Sequence, residues 1–345
     1  MNSIYKPKNR RSLKIWSAIT GLFLMFGSLA ACSSEDGDLN GGNSQMDGPV
    51  ISVTTSILGD VVENIVGNAG TVHVLMPAGS DPHNYQLSTK DISKMMSSDL
   101  IIENGLGLEE GLAASLKSAK SDGLEILTVG EFIDPLPSST YYGTSEDDDA
   151  HEHDDDESAD HDHDHDHGPL DPHFWHDPLR MVIAVEAIKD HLIKLPGIDT
   201  EKVELQAKEY TQKLHSMNAD LAETYAAIPK ERRLLVTGHR VFIYLANQYD
   251  FEIVGSIVPS SSTLAETSAS ELMLVAETLK ELGINAVFTD ASQSQKSAET
   301  VVKETGLDIT IVPLYSESLT PPGGEADTYI ELMVTNSEKI FDALS

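Results

Sequence analysis

From Val50 onward, short apolar runs alternate with longer stretches in which apolar residues return every three or four positions. The first pattern predicts strands and the second amphipathic helices. Val50 to Thr54, Thr71 to Leu75, Leu100 to Ile102 and Leu124 to Val129 read as strands. Ile57, Val61, Val62, Ile65 and Val66 lie on one helical face. Thr89 is placed to cap a helix carrying Ile92, Met95 and Met96. Gly105 and Gly107 turn the chain into a helix from Leu108 to Lys117. A second series follows, with strands at Leu234 to Thr237, within Phe251 to Val258, at Ala286 to Thr289 and at Ile309 to Val312. Its helices are Val241 to Tyr249, Ser270 to Leu282, Ala298 to Thr305 and Tyr329 to Leu344. Strands alternating with helices predict βα units and parallel sheets.

Between the two series the pattern is helical. Pro178 suits a first helical turn. Val182, Val185, Ile188, Leu192 and Leu195 then form a stripe that stops at Pro196-Gly197. From Thr200 to Ala227 the apolar positions Val203, Ala207, Tyr210, Leu214, Met217, Leu221 and Tyr225 step by threes and fours. A helix of that length is about 40 Å long, which suits a strut between two lobes. The fold class expected is α/β, with two lobes of βα units and parallel sheets joined by one long helix over 200–228. The divisions expected are a leader (1–31), a tether (32–49), a first lobe (50–178), a helical connector (179–230) and a second lobe (231–345). In open α/β sheets ligands sit beyond the carboxyl ends of strands, and His83 and His239 both follow such ends.

The first 31 residues are read as a processing signal. Lys6, Lys8, Arg10, Arg11 and Lys14 precede an apolar run from Ile15 to Leu29, short for a membrane-spanning helix. Leu29-Ala30-Ala31-Cys32 resembles the bacterial lipobox, in which cleavage leaves a lipidated cysteine; a permanent signal anchor is the alternative. Cys32 is the single cysteine. Once it is lipidated, no thiol is left for a disulfide or a metal, and any metal site must use His, Asp or Glu. Ser33 to Pro49 is Gly-, Ser-, Asn- and Asp-rich and reads as a flexible tether.

Loss of the five leader cations takes the formal charge from -33 to -38. Nucleic acid is excluded as a partner, because phosphate contact needs a basic surface. Ser145 to Gly168 holds no large apolar residue and cannot bury a core, so disorder is expected there. That segment carries His151, His153, His161, His163, His165 and His167 among many carboxylates, a set suited to weak accessory metal binding.

Of the thirteen histidines, His73, His191 and His215 lie inside predicted elements with no motif around them. His83 and His173 each follow Asp-Pro, in Asp81-Pro82-His83 and Asp171-Pro172-His173. Proline restricts the backbone there and favours a defined turn that presents the ring. His239 follows an apolar strand. Neutral imidazoles with one carboxylate suit zinc, although the spacing is too dispersed to form a metal motif by itself.

The chain resembles the metal-binding lipoproteins of ABC importers, the cluster A-I or zinc/manganese solute-binding family, over nearly all of its mature length. The matching blocks are Pro77 to Tyr85, Asp99 to Glu109, Asp171 to Trp175 with Asp177-Pro178, Thr237-Gly238-His239 followed by Phe242, Tyr244 and Leu245, Phe288-Thr289-Asp290 with Gln293, Ser294 and Lys296, and Ala326 to Tyr329. The resemblance implies metal held between the lobes by His83, His173, His239 and Asp327, with water as the alternative to Asp327. Manganese-binding members typically carry glutamate at the His239 position, so histidine favours zinc over manganese. A long His/Asp loop before the second ligand motif is also typical of zinc-binding members. His176 stands where the family often has leucine. A surface or gateway position is expected for it, with an accessory ligand role as the alternative.

The implied function is capture of Zn²⁺ outside the cytoplasm by a monomer, anchored to the bacterial membrane through lipid on Cys32. Delivery to an ABC permease and its ATPase would follow. A manganese or iron receptor of the same family is the nearest alternative. A surface adhesin with a structural metal belongs to another class, and nothing supplies it with an apolar binding patch. A zinc hydrolase would need an open coordination position and a general base. No His-Glu-x-x-His is present, and four protein ligands would close the site, so no enzyme is expected.

Overall fold

The computed structural model of the chain describes residues 48–139 and 170–345. The leader, Cys32, the tether and the acidic stretch with His151, His153, His161, His163, His165 and His167 lie outside the described residues.

Two four-stranded sheets, parallel throughout, organise the molecule. The first contains β1 (Val50–Val53), β2 (Thr71–Val74), β3 (Leu100–Glu103) and β4 (Ile126–Thr128), in the order β2-β1-β3-β4. The second contains β5 (Leu234–Thr237), β6 (Glu252–Ser256), β7 (Ala286–Asp290) and β8 (Thr310–Leu314), in the order β6-β5-β7-β8. The strand order is thus the same in both. Register follows the β-branched runs, with Ile51 opposite Val72 and Leu100, and Phe288 opposite Val312.

The first lobe carries α1 (Ser56–Val66), α2 (Thr89–Met96) and α3 (Ala113–Ser121). Between the two sheets in the chain come α4 (Pro178–Leu192) and α5 (Thr200–Ala226). The second lobe adds α6 (Ile243–Tyr249), α7 (Ala269–Glu281), α8 (Lys296–Thr305) and α9 (Tyr329–Leu344). None of the described helices is long and apolar enough to cross a membrane.

Short polar side chains start most of these helices. Thr55 Oγ1 accepts from Leu58 N at the head of α1, Asp199 caps α5, and Ser268 with Glu271 forms a capping box on α7. Pro178 opens α4 behind the Asp177 cap, as its sequence suggests. Several boundaries differ from the expectation by a few residues, and two helix starts show why. Ser88, not Thr89, caps α2. The helix expected from Leu108 starts at Ala113, behind a short 3₁₀ turn at Glu110–Leu112. The cause is Glu109, whose carboxylate turns back to accept from Asn104 N at 2.6 Å and Gly105 N at 3.1 Å. It holds the chain in a turn in which Gly105, Leu106 and Gly107 all take positive φ.

Alternation along the strands divides each sheet between two interiors. Ile101 faces an outer cluster with Met95, Leu112 and Leu116, while Ile102 faces the central one. In the second sheet Val236 faces outward to Val275, Leu279 and Val301, and Leu235 faces the centre. The central cluster is common to both lobes and runs through α1, α4, α5 and α9. On α5 the buried face is Val203, Ala207, Tyr210, Leu214, Met217, Leu221 and Tyr225, the stripe visible in the sequence. From the second lobe α9 packs back onto α1 and α5. There Asp60 of α1 accepts from Tyr329 N at 3.0 Å and from Tyr210 Oη at 3.4 Å.

Candidate metal centre

Four loops, each following a strand, converge between the sheets. His83 follows β2, His173 lies between β4 and α4, His239 follows β5, and Glu317 follows β8. The two Asp-Pro-His stretches adopt one local design. Asp81 Oδ1 accepts from His83 N at 3.0 Å, and Asp171 Oδ1 accepts from His173 N at 3.0 Å. Each aspartate closes a short turn over its proline, the local hydrogen bonding at which aspartate excels. Beyond β5, Thr237 Oγ1 donates to the His239 carbonyl at 2.7 Å and fixes that loop.

The three imidazole centroids lie 5.6, 6.0 and 5.5 Å apart. One ligand atom from each ring and one Glu317 oxygen fall within 4.8 Å of one another. All four side chains are buried, and His239 alone keeps measurable exposure beyond Glu317, at 4% against 2%. Glu317 Oε1 is 2.7 Å from His239 Nε2 and 3.4 Å from His173 Nε2. His173 Nε2 and Glu317 Oε2 have no hydrogen-bond partner among the described residues. Buried polar atoms without partners are costly, and a shared cation would satisfy both. The donor set fits a divalent transition metal in residue type and in number.

Support for these groups is built in. His173 Nδ1–H donates to Asp171 Oδ1 at 3.0 Å, which leaves Nε2 with its lone pair facing the centre. Glu317 is held through its neighbours. The Ser316 carbonyl accepts from Trp175 Nε1 at 2.9 Å and from His176 Nε2 at 3.1 Å, while Ser316 N and Oγ bond Asp290 Oδ2. On the other side Ser318 Oγ meets Ser56 Oγ at 3.0 Å and accepts from Gly79 N at 2.9 Å. The Glu317 loop is therefore clamped to both lobes.

The electrostatics are those of a cation site. Burial works to raise the Glu317 carboxyl, but the His173, His239 and His83 rings overcome it and hold the group well below the usual carboxylate range. Burial alone would lower the His83 ring; Glu110 and Glu317 outweigh it and lift the ring to about 10.

Two expectations from the sequence meet a different arrangement. Asp327 is outside the cluster. Its Oδ2 accepts from Gly323 N at 2.6 Å in the turn ahead of α9, one residue before the Thr328 cap. Glu317 occupies the carboxylate position, because it lies at the carboxyl end of β8, where the second sheet points into the cleft. His176 is fully buried, not at the surface or a gateway. Its ring packs at a tilt against Phe242 with centroids 4.6 Å apart, and burial pushes its pKa down to about 3. A neutral ring there donates to Ser316, and it takes no place in the four-residue cluster.

Glu317 and the bracing aspartates were the residues that sequence reasoning missed. The signal for Glu317 was its place just after a predicted strand, the same argument that singled out His83 and His239. For Asp81 and Asp171 the signal was their repetition two positions ahead of a histidine.

Comparison with known proteins decides the family. Residues 51–343 match the model of the family described as zinc-uptake complex component A, periplasmic. The chain belongs to that family. Its members are solute-binding receptors of metal importers. The manganese-binding lipoprotein MntA of Halalkalibacterium halodurans is 28% identical over 316 residues, covering 92% of this chain and 94% of that protein. Among solved structures, the periplasmic zinc binding protein TroA from Treponema pallidum superimposes with a TM-score of 0.73 at 27% identity, over 86% of this chain and 99% of that one. A Mn-bound periplasmic metal binding protein from Candidatus Liberibacter asiaticus gives 0.70 at 29% identity, over 86% and 100%. The two-lobed architecture described above is the one these proteins share.

Proposed function

We propose that the chain is the zinc receptor of an ABC importer, holding Zn²⁺ as cargo on His83, His173, His239 and Glu317 and delivering it to a membrane permease driven by an ATPase. The observation that carries this reading is the buried set of three imidazoles and one carboxylate whose ligand atoms lie within 4.8 Å of one another. Three nitrogens and one oxygen make the four-coordinate, nitrogen-rich environment that zinc takes readily. Manganese favours oxygen-rich sites of higher coordination. Three neutral rings and one carboxylate leave a net charge of about +1 with Zn²⁺, which neighbouring Asp81, Asp171 and Glu110 offset.

Manganese is the second reading, supported by relatives such as the manganese-binding lipoprotein MntA. Lipidation at Cys32 would place the receptor on the outer face of a bacterial membrane, as a monomer. The His-rich stretch over 145–168 would gather further metal weakly near the receptor. Titration of metal-free protein with zinc and with manganese, each against a chelator of known affinity, tests the reading. One tight equivalent of zinc that manganese fails to displace supports it; preference for manganese overturns the zinc assignment and leaves the metal receptor standing.

A further inference from the structure

The loop after β6 reaches across the cleft with three consecutive hydroxyls, and each finds a different carboxylate of the opposite side. Ser261 Oγ donates to Asp171 Oδ2 at 3.4 Å, Ser262 Oγ to Glu110 Oε1 at 2.6 Å, and Thr263 Oγ1 to Asp81 Oδ2 at 2.7 Å. These three carboxylates are the groups that brace the first-lobe ligands. Asp171 bonds His173 through Nδ1, Asp81 holds the His83 amide, and Glu110 Oε1 lies 3.5 Å from His83 Nδ1. At its other end the loop is tied to the His239 strand. Arg240 N donates to the Ser260 carbonyl at 2.9 Å, and Val258 N to the Gly238 carbonyl at 2.9 Å. Ser261 and Ser262 are buried, and the bond from Ser261 to Asp171 is buried with them, while the other two are partly shielded.

We propose that Ser261, Ser262 and Thr263 form a clasp that sets the residence time of the metal. They are positioning residues, since none touches the centre. They act through the carboxylates that orient His83 and His173, and they couple that orientation to contact between the lobes. With the loop docked, the bracing carboxylates are held and the rings stay aimed. With the loop withdrawn, the brace on both first-lobe ligands loosens together while His239 and Glu317 remain on the other side. The clasp would therefore slow release far more than it alters capture, which proceeds with the loop undocked. Ordinary inter-lobe hydrogen bonding would predict altered stability without a selective effect on release.

This inference rests on the metal-receptor reading, and the experiment keeps the two apart. Zinc release into excess chelator and zinc capture are followed by stopped flow on the full chain carrying Ser261→Ala, Ser262→Ala and Thr263→Val together, with melting of the metal-free protein as the control for folding. Release is expected to accelerate about 10-fold, the lower end of the range for losing a direct partner of a metal ligand, because the hydroxyls act one bond further out, with capture unchanged. Thr263→Val alone is the second variant. Asp81 Oδ2 keeps donors from Asn84 and Gln293 there, so the fold is retained, and a smaller acceleration is expected. Thr263→Ser, which keeps the hydroxyl, should restore the original release rate. Unchanged release in a folded triple variant overturns the clasp and leaves the receptor reading intact. Equal acceleration in Thr263→Ser also overturns it, because loop packing and not the hydroxyl would then be responsible. A parent chain that takes up neither zinc nor manganese overturns the receptor reading, and the clasp with it.

Discussion

Glu317 Oε1 lies 2.7 Å from Nε2 of His239, a residue 78 positions earlier in the chain. Both side chains are buried, and the carboxylate is pinned from each side by its neighbours in sequence. On the proposed reading that pairing, and not one between His239 and Asp327, forms the second lobe's half of the centre. Glu317→Gln should therefore weaken zinc binding by more than about 100-fold, beyond the usual loss from an outer partner. Asp327→Asn should leave affinity within about twofold, since a surface substitution away from the site perturbs little. Chelator competition on both variants checks this, and the reverse ranking would return the ligand role to Asp327.

Asp171→Asn tests the brace on His173. The Nδ1–H bond to Asp171 Oδ1 fixes the tautomer that presents Nε2 to the centre. An amide in place of the carboxylate permits the wrong tautomer, and affinity should drop about 10–100-fold with the fold preserved. Binding equal to that of the parent would show that ring orientation is set elsewhere.

The pH dependence should lie higher than an unperturbed histidine would give. From the sequence alone, metal release is expected as pH falls through about 6.5. Burial pulls the His83 ring down, yet Glu110 and Glu317 lift it to about 10. Its folded value is above the unfolded one. Its contribution to metal-free stability is therefore complete below about 6.5 and is lost as pH rises toward 10. Metal binding must displace that proton, so affinity gains across the same interval. Zinc should raise the melting temperature more at pH 9 than at pH 7. Calorimetry in buffers of different ionisation enthalpy should register about one proton released near pH 7.5. Equal stabilisation at the two pH values, with no proton released, would contradict the assignment.

Trp175 offers a direct readout. Its ring centroid is 5.3 Å from that of His173, and its indole N–H donates to the carbonyl next to Glu317. Among the described residues it is the only tryptophan. Zinc carries no redox chemistry, so altered emission reports altered packing. Emission should change and saturate at one equivalent, and Glu317→Ala should abolish the saturable phase. A constant signal during binding proven by calorimetry would show that the indole is insulated from the centre.

Deleting residues 145–168 should lower zinc stoichiometry while sparing the tight equivalent. Ordering a polar segment around an ion costs conformational entropy, which keeps such binding weak. Loss of the tight equivalent would make that stretch a source of ligands.

Much of this architecture was legible in the apolar pattern. The long helix expected over 200–228 runs from Thr200 to Ala226, and strand β5 matches its expected limits, because their burial is repetitive and local signals agree with it. The start of α3 was not legible, since Glu109 overrides helix propensity by bonding backward to Asn104 and Gly105. The three histidines stood out as candidates because each carries a local signature, an Asp-Pro turn or a strand end, and the family resemblance implied them as ligands. Glu317 stands in an unremarkable Tyr-Ser-Glu-Ser run, and it is held in place by bonds that its neighbours Ser316 and Ser318 make with Trp175, His176 and Ser56, residues far away in the sequence. His176 looked polar by type, but Phe242 and the Ser316 carbonyl give its ring a buried place.

The division of the four converging side chains between two sheets has a consequence for how the protein is made. His83 and His173 come from one half and His239 and Glu317 from the other, so a chain with only one half folded owns only two of the four. An ion cannot act here as the seed of folding, as it does where its ligands are neighbours in sequence. It binds finished molecules and stabilises them by mass action. Occupancy is thereby a form of proofreading: a chain with only one half folded is left without the full set of four.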